Sequence, residues 1–94
     1  MKAYWIAVYK DIENLENIKK YGEKATPAIK KYNGVILARG GKTQTIEGNP
    51  SPRTVLIQFP KMDDALKCYN SSEYQEAMKN YNILKHHPFL EIVL

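Results

Sequence analysis

The chain holds one cysteine, two histidines, two phenylalanines and two arginines among 94 residues, and each shortage removes a class of explanation. Cys68 alone cannot close an intrachain disulfide, so the fold does not lean on an oxidising compartment and a cytoplasmic setting is expected. No apolar run is long. Tyr4-Trp5-Ile6-Ala7-Val8-Tyr9 passes straight into Lys10-Asp11, too short for a signal h-region or a membrane span. His86 and His87 are neighbours at the expected end of a helix, where they point in different directions. No cysteine or carboxylate cluster completes a chelate, so no metal is expected, and the helix C-terminus accounts for the pair. No nucleophile elbow, Walker loop, dinucleotide fingerprint or haem-attachment pair occurs, which implies no cofactor. Gly40-Gly41 is not a phosphate loop, because no glycine-rich continuation leads into a helix. The net charge of +4 comes from lysines scattered along the chain, and Thr54-Val55-Leu56-Ile57-Gln58-Phe59 lacks the ring-bearing consensus of RNA-recognition strands, so no nucleic-acid partner is expected.

What is present is the mix of a small globular protein: 44% hydrophobic and 26% charged residues, read as one domain over 1–94. A domain of this size buries only ~60–65% of its unfolded surface. Residues 3–9, 34–39, 54–59 and 89–94 are short runs rich in aromatic and β-branched side chains and read as strands. Leu15, Ile18, Gly22, Ala25, Ile29 and Tyr32 recur at helical spacing. Thr26-Pro27 interrupts them: either the helix kinks, or Thr26 caps a second short helix. Asn33-Gly34 reads as a left-handed stop. Beyond Pro60, a helix over Met62–Tyr69 is followed by another through Ala77, Met78, Tyr81 and Leu84, opened by a Ser72/Gln75 capping box and closed by His86-His87-Pro88. The order β-α-β-β-α-β is the ferredoxin-like α+β arrangement, a four-stranded antiparallel sheet in the order 4-1-3-2 with the helices on one face.

The first strand is apolar on both faces: Tyr4, Ile6 and Val8 point one way, Trp5, Ala7 and Tyr9 the other. Helices cover one face only. A second copy, packed sheet against sheet, is the simplest cover for the other, and Trp5, Ala7 and Tyr9 are the residues expected there.

Chemistry is expected at one hairpin. The strand Val35-Ile36-Leu37-Ala38 ends in Arg39-Gly40-Gly41, and Arg53 opens the next strand. Guanidinium groups suit a carboxylate through their planar fork of donors, and glycines let backbone approach a ligand. With Leu37 opposite Ile57, Arg39 falls near the register of Arg53 and both converge on one anion. The alternative is a salt-bridged hairpin with Glu47 as the arginines' partner and the glycines forming a bulge. Tyr21, Tyr32, Tyr69 and Tyr74 fall on helix faces turned toward the sheet, and Tyr32 and Tyr69 are candidates for the walls of a pocket suited to a small acidic or aromatic molecule. Cys68 reads as a small core residue.

Ala38-Arg39-Gly40-Gly41, Glu47-Gly48, Pro52 through Pro60, and Cys68 through Gln75, with Tyr21, Pro27, Tyr32 and Gly34 at matching places, resemble the domain of unknown function 1330 family over nearly the whole chain. The resemblance implies a ferredoxin-like protomer of the dimeric α/β barrel superfamily, which includes cofactor-independent monooxygenases, haem-degrading enzymes and small isomerases that place ligands between sheet and helices. The chain departs from the family pattern at Lys61, where a capping residue is usual, at Ser72, where proline is usual, and at Tyr81, where arginine is expected. Three readings of function follow: a homodimer that binds a small acidic or aromatic ligand, a cofactor-independent barrel enzyme acting as a monooxygenase, isomerase or hydrolase, and a purely structural or regulatory dimer.

Overall fold

Alternation in the first strand decides which side of the sheet becomes the core. In a computed structural model, which describes residues 1–12, 14–83 and 89–94, strand β1 (Ala3–Val8) alternates buried and half-buried positions. Ala3, Trp5, Ala7 and the following Tyr9 are at most 5% exposed. The elements run β1, α1 (Leu15–Lys31), β2 (Val35–Arg39), β3 (Thr54–Phe59), α2 (Met62–Asn70), α3 (Ser72–Asn80) and β4 (Phe89–Val93). The four strands form one antiparallel sheet in the order β2-β3-β1-β4, the expected order read from the opposite edge.

Trp5, Ala7 and Tyr9 belong to the core between sheet and helices, together with Ile57 and Phe59 of β3, Ile18, Ala25, Ala28 and Ile29 of α1, and Tyr74 and Met78 of α3. This corrects the expectation that they form the dimer face. The helices supply aromatic partners to Trp5: its ring meets Tyr74 edge-on with centroids 5.0 Å apart, Tyr69 at 5.9 Å and, within the sheet, Phe59 at 5.8 Å, geometries that add to area burial. The opposite face carries Tyr4, Ile6 and Val8 beside Leu56 of β3, with Phe89 and Val93 of β4 on the same side through their pairing with Val8 and Tyr4.

Helix α1 is continuous through Pro27, so the first crossover is one helix. Its N-terminus is capped by Asn14, whose side chain accepts the Asn17 amide at 3.0 Å. At the other end Asn33 takes the left-handed conformation (φ 69°). Its amide bonds the Lys30 carbonyl while Gly34 bonds Ile29 at 2.8 Å, the paired closure of a Schellman turn. Gly34 is required for proximity instead: a Cβ there would lie 2.9 Å from both the Ile29 carbonyl oxygen and the Phe59 ring. Ser71 caps α3, accepting the Tyr74 amide at 3.2 Å, one residue before the expected Ser72. Ser72 is thereby the first helical residue, a position that suits the proline usual in the family. Helix α3 ends at Asn80. Tyr81, expected inside the helix, is its C-cap, so the helix stops short of the expected continuation; Leu84 and the His86-His87-Pro88 closure fall outside the described residues. Among those that are described, no helix is long and apolar enough to cross a membrane.

Candidate functional site

The β2-β3 ladder departs from regular pairing where the arginine strand needs it to. Ile36 pairs with Ile57, Ala38 with Leu56 and Arg39 with Val55, with an irregularity between Ile36 and Ala38. Arg39 therefore reaches the expected register, but Ile36 and not Leu37 stands opposite Ile57. Leu37 is the extra residue of a β-bulge, and a bulge re-aims the side chains that flank it. Ile36 and Arg39 both turn to the helix side, where strict alternation would have separated them.

Arg39 and Arg53 both line a cavity between α1 and the sheet. The inner space measures about 40 Å³ and is lined by both arginines, by Trp5, Ala7, Tyr9, Ile36, Val55 and Ile57 from the sheet, and by Ile18, Tyr21, Gly22, Ala25, Thr26 and Ile29 from α1. It adjoins an open groove of about 530 Å³ whose walls include Leu15, Lys19, Glu23 and Pro27, and which shares Ile18, Gly22, Thr26, Arg39 and Arg53 with the inner space.

Each arginine is held by a different device. Arg39 donates from Nη1 to Thr26 Oγ1 at 3.2 Å, and that hydroxyl donates to the Gly22 carbonyl at 2.7 Å. Arg53 is fixed through its backbone. Ser51 Oγ lies 2.8 Å from the carbonyl oxygens of Tyr9 and Arg53 and accepts the Arg53 amide at 3.2 Å, while the Arg53 carbonyl accepts the Tyr9 amide at 2.9 Å. The Arg53 side chain passes over Gly40, occupying the place a Cβ would take there. Gly40 has φ +62°, a conformation open to glycine at little cost. The guanidinium carbon sits 5.7 Å from the Tyr9 ring centroid, within cation-π range. Among the described residues, Arg53 Nε is a buried donor without a hydrogen-bond partner.

The phenols beneath are held neutral. Burial raises the Tyr9 pKa, and the charge and hydrogen bond of Arg53 offset part of that rise. Burial, reinforced by Tyr74, pushes Tyr21 well above its ordinary value, and its hydroxyl shares a 2.6 Å hydrogen bond with that of Tyr74. Cys68 is buried and lifted to about 12, chiefly by burial and secondarily by the Glu73 charge. It behaves as an inert core thiol.

Several expected site residues lie elsewhere. Tyr69 lines a separate recess with Met62, Leu66, Leu90 and Ile92, and Tyr32 packs against the core beyond the lining of the arginine cavity. Gly41 makes no close approach. Among the described residues Glu47 forms no ion pair with either arginine. Thr26, Ser51, Gly22 and Tyr9 were not expected at the site. In the sequence Thr26 stands out only as a break before proline, Gly22 only as part of a helical stripe, and Tyr9 only as a candidate for the dimer face. Ser51 carried no signal beyond its place two residues before Arg53. Among the described residues no group of three or more His, Cys, Asp or Glu could hold a metal.

The fold has known counterparts. A protein of unknown function from Rhodopseudomonas palustris superposes with a TM-score of 0.73 at 12% identity, over 98% of this chain and 78% of that one. A dimeric protein of unknown function with a ferredoxin-like fold from Bacteroides fragilis gives 0.52 at 14% identity, over 98% and 91%. A DABB-family protein with a ferredoxin-like fold from Mesorhizobium loti gives 0.53 at 6% identity, also over 98% and 91%. No curated protein matches the sequence. The model of a domain of unknown function, DUF1330, matches residues 2–86, and the chain belongs to that family.

Proposed function

We propose that this protein is a homodimer whose protomers each bind a small carboxylate between α1 and the sheet, anchored by Arg39 and Arg53. The observation that carries this reading is that the two arginines of the chain line one cavity and its adjoining groove together, with Nε of Arg53 a buried donor that has no hydrogen-bond partner among the described residues. Leaving a buried donor unpaired costs about 1–3 kcal/mol, more when it is charged. A carboxylate at the two guanidinium groups gains charge-assisted hydrogen bonds. Thr26 holds the Arg39 guanidinium and Ser51 the Arg53 backbone beforehand, so less ordering of the site is left to binding. The phenols nearby are un-ionised at neutral pH and add no competing charge.

The dimer is supported by the uncovered sheet face. Phe89 and Val93 are 45% and 42% exposed beside Tyr4, Ile6, Val8 and Leu56, with Thr54, Gln58 and Glu91 among them on the same face, a mixed surface whose apolar part a second copy covers symmetrically. The Bacteroides relative is described as dimeric. A cytoplasmic setting accords with a free buried thiol.

The test is a thermal-shift and calorimetric screen of small monocarboxylates, with light scattering on the same samples. The expected result is a dimeric mass and at least one acid that raises the melting temperature of the wild type but not of Arg53→Ala. A monomer at micromolar concentration overturns the dimer. A panel in which no acid distinguishes wild type from Arg53→Ala overturns the anchoring role.

A further inference from the structure

The dimensions of the cavity say more about its ligand than the arginines alone. We infer that the site selects short aliphatic monocarboxylates, with the head at Arg39 and Arg53 and the tail in the inner cavity, and that Gly22 keeps the passage for the tail open. This inference rests on the carboxylate-binding reading above and narrows it.

Polarity sets the orientation. The two arginines belong to both the inner cavity and the outer groove, so they stand at the boundary between apolar and open space. Behind them the sheet contributes Trp5, Ile36 and Ile57 to the inner walls. A head-out, tail-in acid matches that division.

Size sets the class. A water-sized group needs roughly 10–15 Å³ of such space, so about 40 Å³ takes a tail of a few carbon-sized groups. An apolar cavity that admits benzene measures about 150 Å³. An aromatic acid therefore exceeds the inner cavity, and long acyl chains exceed it too.

Gly22 is the unexplained residue at this boundary. A glycine in the middle of a helix weakens it relative to alanine, and such a glycine usually has a packing reason. Among the described residues, a Cβ built at Gly22 has no atom within 4 Å outside its chain neighbours and the local helix backbone, so no packing contact calls for glycine. Gly22 nonetheless lines both the inner cavity and the outer groove. Gly22 is thus one of the residues where the two spaces adjoin, and a larger side chain there projects into open space beside both.

The experiment measures binding of straight-chain acids from acetate to octanoate, with benzoate and butanamide alongside, to wild type, Arg53→Ala, Gly22→Ala and Gly22→Leu. Expected is an affinity maximum at propanoate to pentanoate, no binding of butanamide, and a loss of about tenfold or more on truncating the arginine. Gly22→Leu should abolish tail-length selectivity while melting no lower than wild type, since leucine favours helix. Its unaltered fold separates a blocked passage from unfolding, and Gly22→Ala, the smaller change, should fall between. If acids bind in an Arg53-dependent way but with no preference for tail length, or if Gly22→Leu binds as wild type does, this inference fails and the carboxylate site stands. If no acid binds at all, both fail.

Discussion

Single residues at this site act through the space they leave as much as through the groups they offer. Gly40 shows this. Its positive φ excludes most side chains, and the Arg53 guanidinium lies where a Cβ would be. Gly40→Ala is expected to cost about 1–2 kcal/mol for the left-handed backbone alone and to displace Arg53, which lowers both the denaturant midpoint and the affinity for a carboxylate. Gly41→Ala is the matched control. With no strained φ and nothing near its Cβ position, it should stay within about 0.5 kcal/mol of wild type. Arg39, Arg53 and Gly40 were legible as site residues because each breaks a local rule: rare guanidinium among lysines, and glycine after a strand. Thr26 and Ser51 were not, since beside their local bonds to Gly22 and Arg53 each also reaches a residue 13 or 42 positions away, and no local pattern encodes that.

At the level of elements, periodicity carried most of the information. The strands, the apolar stripe of α1 and the crossover order all follow from spacings of two and of three to four. Two things did not follow. The bulge at Leu37 depends on what β2 must present to α1, a tertiary demand. The choice between the two apolar faces of β1 depends on which set finds aromatic partners, and Tyr69 and Tyr74 supply them to Trp5. The caps illustrate a finer failure: serines at 71 and 72 are both plausible, and the winner is Ser71, whose hydroxyl also donates to the Cys68 carbonyl at 2.7 Å and so serves both helices. Helix α2 lacks such help. Lys61 precedes it with no side-chain cap, and its charge opposes the helix dipole. Lys61→Asp should therefore stabilise the fold by about 0.5–2 kcal/mol, read as a higher urea midpoint with an unchanged slope.

For the whole molecule, the buried acids make stability depend on pH in one direction. Tyr9, Tyr21, Tyr74 and Cys68 all have raised pKa values, each chiefly through burial. Cys68 moves from an ordinary 9.0 to about 12. Between the unfolded and folded values the native state keeps a proton that the unfolded chain releases, so stability falls as pH rises. The contribution is fully present below about pH 9 and is lost progressively toward pH 12. Urea midpoints taken across that window should decline, and Cys68→Ala should decline less steeply. In the native protein at mildly alkaline pH, Cys68 should resist thiol reagents until unfolding exposes it.

The bulge also bears on how the sheet ends. Strand β2 lies at the rim of the order β2-β3-β1-β4, and since Ile36, Ala38 and Arg39 each keep a partner on β3, Leu37 is surplus to the ladder. A β2 without it would present the same inward side chains but a straight row of free amides and carbonyls along its outer margin, on which strands from other molecules could stack without limit. One extra residue thus interrupts that row on the β2 edge, at a position half exposed and outside the core.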